Sequence, residues 1–154
     1  MLRAQRRGFL KREYEVSADG APVTVLVGAR REGGGFSLAS GSFRVERDGR
    51  KCFVLHGPDG RVAVAERQSG REWQVQAASG NLTLAKPSVW RSGWEIRGTT
   101  AGAIRHEGGF RRTYSADVPA DVPLPVAVFA FYVVLLLIER QTAAASAAGN
   151  AAGS

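Results

Sequence analysis

The run from Leu124 to Ile138, Leu-Pro-Val-Ala-Val-Phe-Ala-Phe-Tyr-Val-Val-Leu-Leu-Leu-Ile, carries no charge. Wound into a helix it is apolar on every side, so no face of it seeks water. Such a helix is enclosed either by its own protein or by lipid. Spanning a bilayer takes about 20 apolar residues, with a range near 17 to 25. Val126 to Ile138 falls short of that, and reaching back to Val122 takes in both Pro123 and Pro125. Glu139 and Arg140 stop the run sharply, and its flanks lack the Lys and Arg clusters expected beside an anchor. The length therefore predicts a core helix, and the rest of the chain must supply its enclosure.

The preceding residues read as short strands. Turns arrive every eight to twelve residues or so, the cadence of an all-β barrel or sandwich. In a first strand Leu10, Tyr14 and Val16 share one face, and Lys11, Glu13 and Glu15 the other. Asp19-Gly20 turns the chain, and Val23, Val25 and Val27 line a second strand. Arg30 to Gly35 is expected as a loop before Phe36 and Leu38. Phe43-Arg44-Val45-Glu46-Arg47 alternates apolar and charged, then Asp48-Gly49 gives a strong hairpin signal. Further hairpins follow through Pro58-Asp59-Gly60, Ser69-Gly70 and Ser79-Gly80-Asn81. Trp73, Val75 and Ala77 oppose Glu72, Gln74 and Gln76. Val89, Trp90, Trp94, Ile96, Ile104 and the run Phe110 to Tyr114 complete about eleven candidate strands. Proline punctuates residues 117–125, where Asp121 is a candidate cap and Pro123 or Pro125 suits a first helical turn.

A barrel of about a dozen strands is too wide for its own side chains to fill. A helix apolar all round is a suitable plug, and closure removes exposed strand edges. The fold class expected is mainly β, a closed antiparallel barrel enclosing one hydrophobic C-terminal α-helix. Residues 1–8 are expected as a basic extension, 9–141 as the barrel with its helix over 124–140, and 142–154 as a disordered Ala/Gly/Ser tail.

Hairpins followed by one wholly apolar C-terminal helix resemble the Tubby C-terminal-like superfamily, which includes Tubby domains, phospholipid scramblases and LURP-one-related proteins. Stretches such as Phe43-Arg44-Val45-Glu46-Arg47-Asp48-Gly49 and Arg71-Glu72-Trp73-Gln74-Val75 are similar to that family's strand–turn style. The resemblance spans roughly Gly8 to Arg140 and implies a barrel around the helix. The proline-rich region and cysteine cluster of scramblases are missing, as is any acidic loop with calcium-ligand spacing. No lipid-binding motif matches residue by residue.

Little in the sequence points to catalysis. His56 and His106 stand far apart, Gly33-Gly34-Gly35 lacks the residues of a phosphate loop, and no serine lies in a nucleophile elbow. The lone Cys52 allows no internal disulfide and reads as a structural thiol. No enzyme activity, cofactor or metal is expected. The net charge of +7 implies attraction to anionic surfaces. Arg44, Arg47, Arg50, Lys51, Arg61, Arg67 and Arg71 straddle successive hairpins and are the candidate anion- or lipid-contacting residues. The simplest alternative is a solvated, salt-bridged sheet surface. The basic N-terminus is followed by no apolar run, so a secretory signal is not expected.

The expected protein is therefore a non-enzymatic binding or scaffold module of bacterial style. It is cytoplasmic, peripheral at most to the inner membrane face, and partnered by anionic lipids or an unidentified protein. A tail-anchored protein displaying a small cytoplasmic β-domain is the alternative. A nucleic-acid-binding barrel ranks third, and nucleic acid is not the expected partner.

Overall fold

The computed structural model describes residues 1–7, 12–88, 93–108 and 112–152. Twelve antiparallel strands form one closed barrel, and each strand pairs with its neighbour in sequence. They are β1 (Leu2–Arg7), β2 (Glu13–Ala18), β3 (Ala21–Gly28), β4 (Gly34–Leu38), β5 (Gly41–Arg47) and β6 (Cys52–Gly57). Then come β7 (Gly60–Ser69), β8 (Glu72–Ala77), β9 (Gly80–Ala85), β10 (Gly93–Arg97), β11 (Ala101–Gly108) and β12 (Thr113–Asp117). The barrel closes where β1 pairs with β12, from Leu2 opposite Ala116 to Gln5 opposite Thr113. The helix α1 (Leu124–Ala152) follows.

The barrel works because its strands alternate. Tyr14 and Val16, Phe43 and Val45, Phe53 and Leu55, Trp73 and Val75, Leu82 and Leu84, and Trp94 and Ile96 all point inward and are buried. They enclose α1, in which every residue from Val126 to Leu137 is buried. Those 12 residues span about 18 Å at 1.5 Å per residue, the height of a strand of five or six residues. By length and composition α1 could cross a membrane, but 67% of its most apolar window is buried inside the barrel. The backbone of α1 comes closest to β7, the strand whose inward residues, Ala63 and Ala65, are small enough to allow it.

Five expectations are corrected. Residues 2–7 are no extension; they form β1, because Leu2 and Ala4 supply an inward apolar face that closes the barrel. Residues 142–152 are helical, continuing α1 as an exposed, alanine-rich extension, since alanine favours the helix even without packing. In β3 the inward residue is Leu26, while Val27 on the opposite face is 47% exposed. A register shift between Val16 and Ser17 interrupts the pairing of β2 with β3 there. Asp121 does not cap α1. Its carboxylate accepts from the Thr99 hydroxyl at 2.5 Å, and the Pro123 carbonyl accepts the first helical bond, from Ala127 at 2.9 Å. The Arg30 to Gly35 loop is confined to a tight turn at Arg30–Glu32, with Gly34 and Gly35 already in β4. Phe9, Leu10, Lys11, Val89, Trp90, Phe110 and Arg111 lie outside the described residues.

Candidate functional site

Because the strands run up and down in turn, every second connection falls at the same end of the barrel. One end receives the linker that enters α1, and the other is where α1 emerges beyond Ile138. At that exit end the inward alternation of many strands takes one more step, and the step lands on a cation. Past Ala4 stands Arg6, before Tyr14 stands Arg12, past Val45 stands Arg47, and before Phe53 stands Lys51. Past Ala65 stands Arg67, before Trp73 stands Arg71, past Leu84 stands Lys86, and before Tyr114 stands Arg112. Lysine and arginine suit this level because their stems cover the edge of the core while their heads reach water. The entry end instead carries Asp19, Asp59, Asp117 and Asp121 in or beside its turns.

The helix is fastened to this collar by ion pairs. Arg140 donates to Glu32 from Nε at 2.6 Å and from Nη2 at 3.0 Å, a two-point grip, and from Nη1 to the Arg50 carbonyl at 3.1 Å. Arg47 Nη1 also donates to Glu32, at 2.8 Å. The Arg140 guanidinium lies 5.3 Å from the centre of the Phe53 ring. On the other side, Arg12 Nε pairs with Glu139 at 2.6 Å, and the Tyr14 hydroxyl donates to Glu139 at 2.7 Å. Lys86 Nζ donates to Gln141 at 2.8 Å, and the Tyr132 hydroxyl donates to the Gly33 carbonyl at 2.9 Å. Burial pushes the Tyr132 phenol up to about 12; burial, with Glu139 beside it, pushes Tyr14 higher still. Both phenols therefore remain donors near neutral pH. Burial by itself would raise the Glu32 carboxyl, but hydrogen bonds from Arg140 and Arg47 outweigh it and hold the group below its usual range.

The seven candidate cations divide between levels. Arg50, Lys51, Arg67 and Arg71 stand exposed at the exit rim, and the Arg67 amide donates to the Lys51 carbonyl at 2.9 Å. Arg47 shares that rim, but its charge is taken by Glu32. Arg44 sits lower, on the outer wall beside Glu46 at 3.4 Å, in the row that holds His56. Arg61 lies toward the entry end, across from His56. The hairpins are neighbours, as a shared patch requires, yet only the rim members gather.

Sequence reasoning missed Arg6, Arg12, Lys86, Arg112 and Arg140 as parts of one feature. The signal was available in the continued alternation at strand ends, but only strand direction shows that these ends coincide. Elsewhere, His56 Nε2 lies 3.2 Å from Glu46, and His106 packs against Tyr114. Cys52 is half-buried, and burial with Asp48 and Glu66 nearby pushes its thiol up, away from the reactive form. No family model matches this chain, and no curated protein or solved structure matches it.

Proposed function

We propose that the chain is a non-enzymatic binding module of Tubby/LURP-one-like type whose cationic rim docks on anionic phospholipid headgroups at the cytoplasmic face of a membrane. The supporting observation is the repetition of a cation at the same step on eight strands, from Arg6 on β1 to Arg112 on β12, all at one end. A chain that was merely basic would distribute its charge over both ends. Arg50, Lys51, Arg67 and Arg71 are exposed and belong to adjacent hairpins, so their charge is available to a surface. Because α1 rises from the same end, the β5–β9 arc meets that surface with the barrel tilted. The burial of Val126 to Leu137 among the strands supports this reading over a tail anchor.

Co-sedimentation with phosphatidylcholine vesicles, with and without phosphatidylserine, tests this. The chain is expected to pellet only with the anionic vesicles, and less at high salt. Each basic residue near such a surface contributes about 1 kcal/mol. Replacing Lys51, Arg67 and Arg71 together by Ser is therefore expected to weaken partitioning on the order of a hundredfold. A control replacing Arg44, Arg61 and Arg97 by Ser removes the same charge from elsewhere and is expected to keep most of the binding. Equal losses would reduce the effect to net charge and sink the assignment to the rim.

A further inference from the structure

The collar is divided by the emerging helix. On β5–β8 its Arg50, Lys51, Arg67 and Arg71 stand exposed, whereas the arc on β12, β1, β2 and the end of β3 forms a cleft of about 780 Å³ against α1. Arg6, Arg12 and Arg112 line the cleft, with Glu139, Thr142 and Ser146 on its helical wall. Arg12 is neutralised by Glu139 at 2.6 Å. Glu13, at the margin, faces Arg7 across the ladder. Among the described residues neither Arg6 nor Arg112 has a carboxylate partner.

Arg6 is the informative residue. It occupies the inward phase of β1, after Leu2 and Ala4, so the barrel itself aims it over the mouth. Its amide donates to the Arg112 carbonyl at 3.1 Å, which fixes the two backbones side by side. Its Nε is buried and has no hydrogen-bond partner among the described residues. Buried donors almost always find an acceptor, so an orphan held in place by a strand needs a reason. Here the rest of the Arg6 side chain lines a concave space in which, among the described residues, two guanidinium groups lack a carboxylate.

We propose that this cleft binds a phosphomonoester, with Arg6 and Arg112 holding the phosphoryl oxygens beside the Arg12–Glu139 pair. Planar guanidinium forks match phosphoryl oxygens in pairs. A phosphomonoester carries about 1.5 to 2 negative charges at neutral pH, which answers both free arginines where a carboxylate answers one. The Thr142 and Ser146 hydroxyls already donate to the Ile138 and Thr142 carbonyls, so they offer lone pairs to the hydroxyls of a polyol ester. Val27, Ala29 and Ala143 supply an apolar wall for the ligand's carbon body. The site takes Arg6 and Arg112 from the collar but does not depend on rim docking, which falls to the exposed Arg50, Lys51, Arg67 and Arg71.

The ester can be a free metabolite or the terminal phosphate of a lipid, and two arms separate these. In the first, the full chain is titrated with glycerol 3-phosphate by calorimetry. Binding is expected, weakened on the order of tenfold or more by Arg6→Met and by Arg112→Met, and unchanged by Arg44→Met. In the second, vesicles containing phosphatidic acid are compared with phosphatidylserine vesicles of equal surface charge. A preference for phosphatidic acid that Arg6→Met removes assigns the lipid source; soluble binding without that preference assigns the free ester. Since Arg6→Met deletes an unpaired buried donor, its Tm is expected to hold or rise while binding is lost. Absence of binding in both arms overturns the proposal, as does an equal loss in Arg44→Met or a Tm that falls in Arg6→Met. A chain that ignores phosphatidylserine yet binds glycerol 3-phosphate refutes rim docking and leaves this site standing.

Discussion

Glu32 holds the helix exit together, and its backbone shows how. Arg31 and Glu32 both have positive φ, at 57° and 61°, a left-handed conformation that side chains other than glycine seldom adopt. The turn is sustained because it delivers the Glu32 carboxylate to Arg140 and Arg47 at once. Gly34, just beyond, has to lack a side chain, because a Cβ there would meet the Tyr132 hydroxyl. The Glu32 grip is pH-dependent in a definite direction. Its carboxyl titrates lower in the folded than in the unfolded chain, so within that window the unfolded state binds the extra proton. The stabilisation is complete above the ordinary carboxylate value of about 4.3 and is lost as pH falls from there toward the depressed folded value. At neutral pH Glu32→Gln is expected to cost on the order of 1–3 kcal/mol, between the worth of surface and buried pairs. Thermal unfolding across pH checks this: the gap between wild type and variant should narrow on acidification, and a constant gap would show that the ion pair contributes nothing.

Among the elements, β3 is the loosest stave. Its ladder with β4 consists of two register pairs, Val27 with Gly35 and Gly28 with Gly34, while its other edge pairs along most of its length with β2. Its valines therefore line the outer wall, beside a surface hollow bounded by Pro22, Val25 and Phe36. Amides of Val23 to Leu26 that point away from β2 are expected to exchange with solvent much faster than those of β6 or β7, which are paired along most of both edges. Hydrogen exchange read by NMR checks this, and uniform protection around the barrel would contradict it. The strand-like alternation of Val23, Val25 and Val27 was legible in the sequence. Which face it turned to the core was not, because the register shift beside Val16 decides that and leaves no local signature.

At the scale of the whole molecule, barrel and helix are one cooperative unit. No strand can bury its inward face without α1, and α1 has no polar side to turn to water. Leu135 is 1% exposed at the heart of this contact. Leu135→Glu is expected to cost several kcal/mol, comparable to the stability of an entire domain. The expected readout is loss of both β and helical circular dichroism in one step. A folded, soluble variant would mean that the helix is dispensable to the strands. The closed barrel and its plug were readable beforehand, because period-two alternation, hairpin turns and an unrelieved apolar run are local properties of the chain. The disposition of charge was not. Arg67 and Lys51 look like any other surface cations in the sequence, and Arg6 like part of a basic extension. Only the antiparallel return of each strand brings their ends to one level, and only closure through β1 turns Arg6 inward. The sequence by itself determined what had to be enclosed; the tertiary structure decided which end is positive, because strand direction and register are set by pairing across the barrel and not by neighbours along the chain.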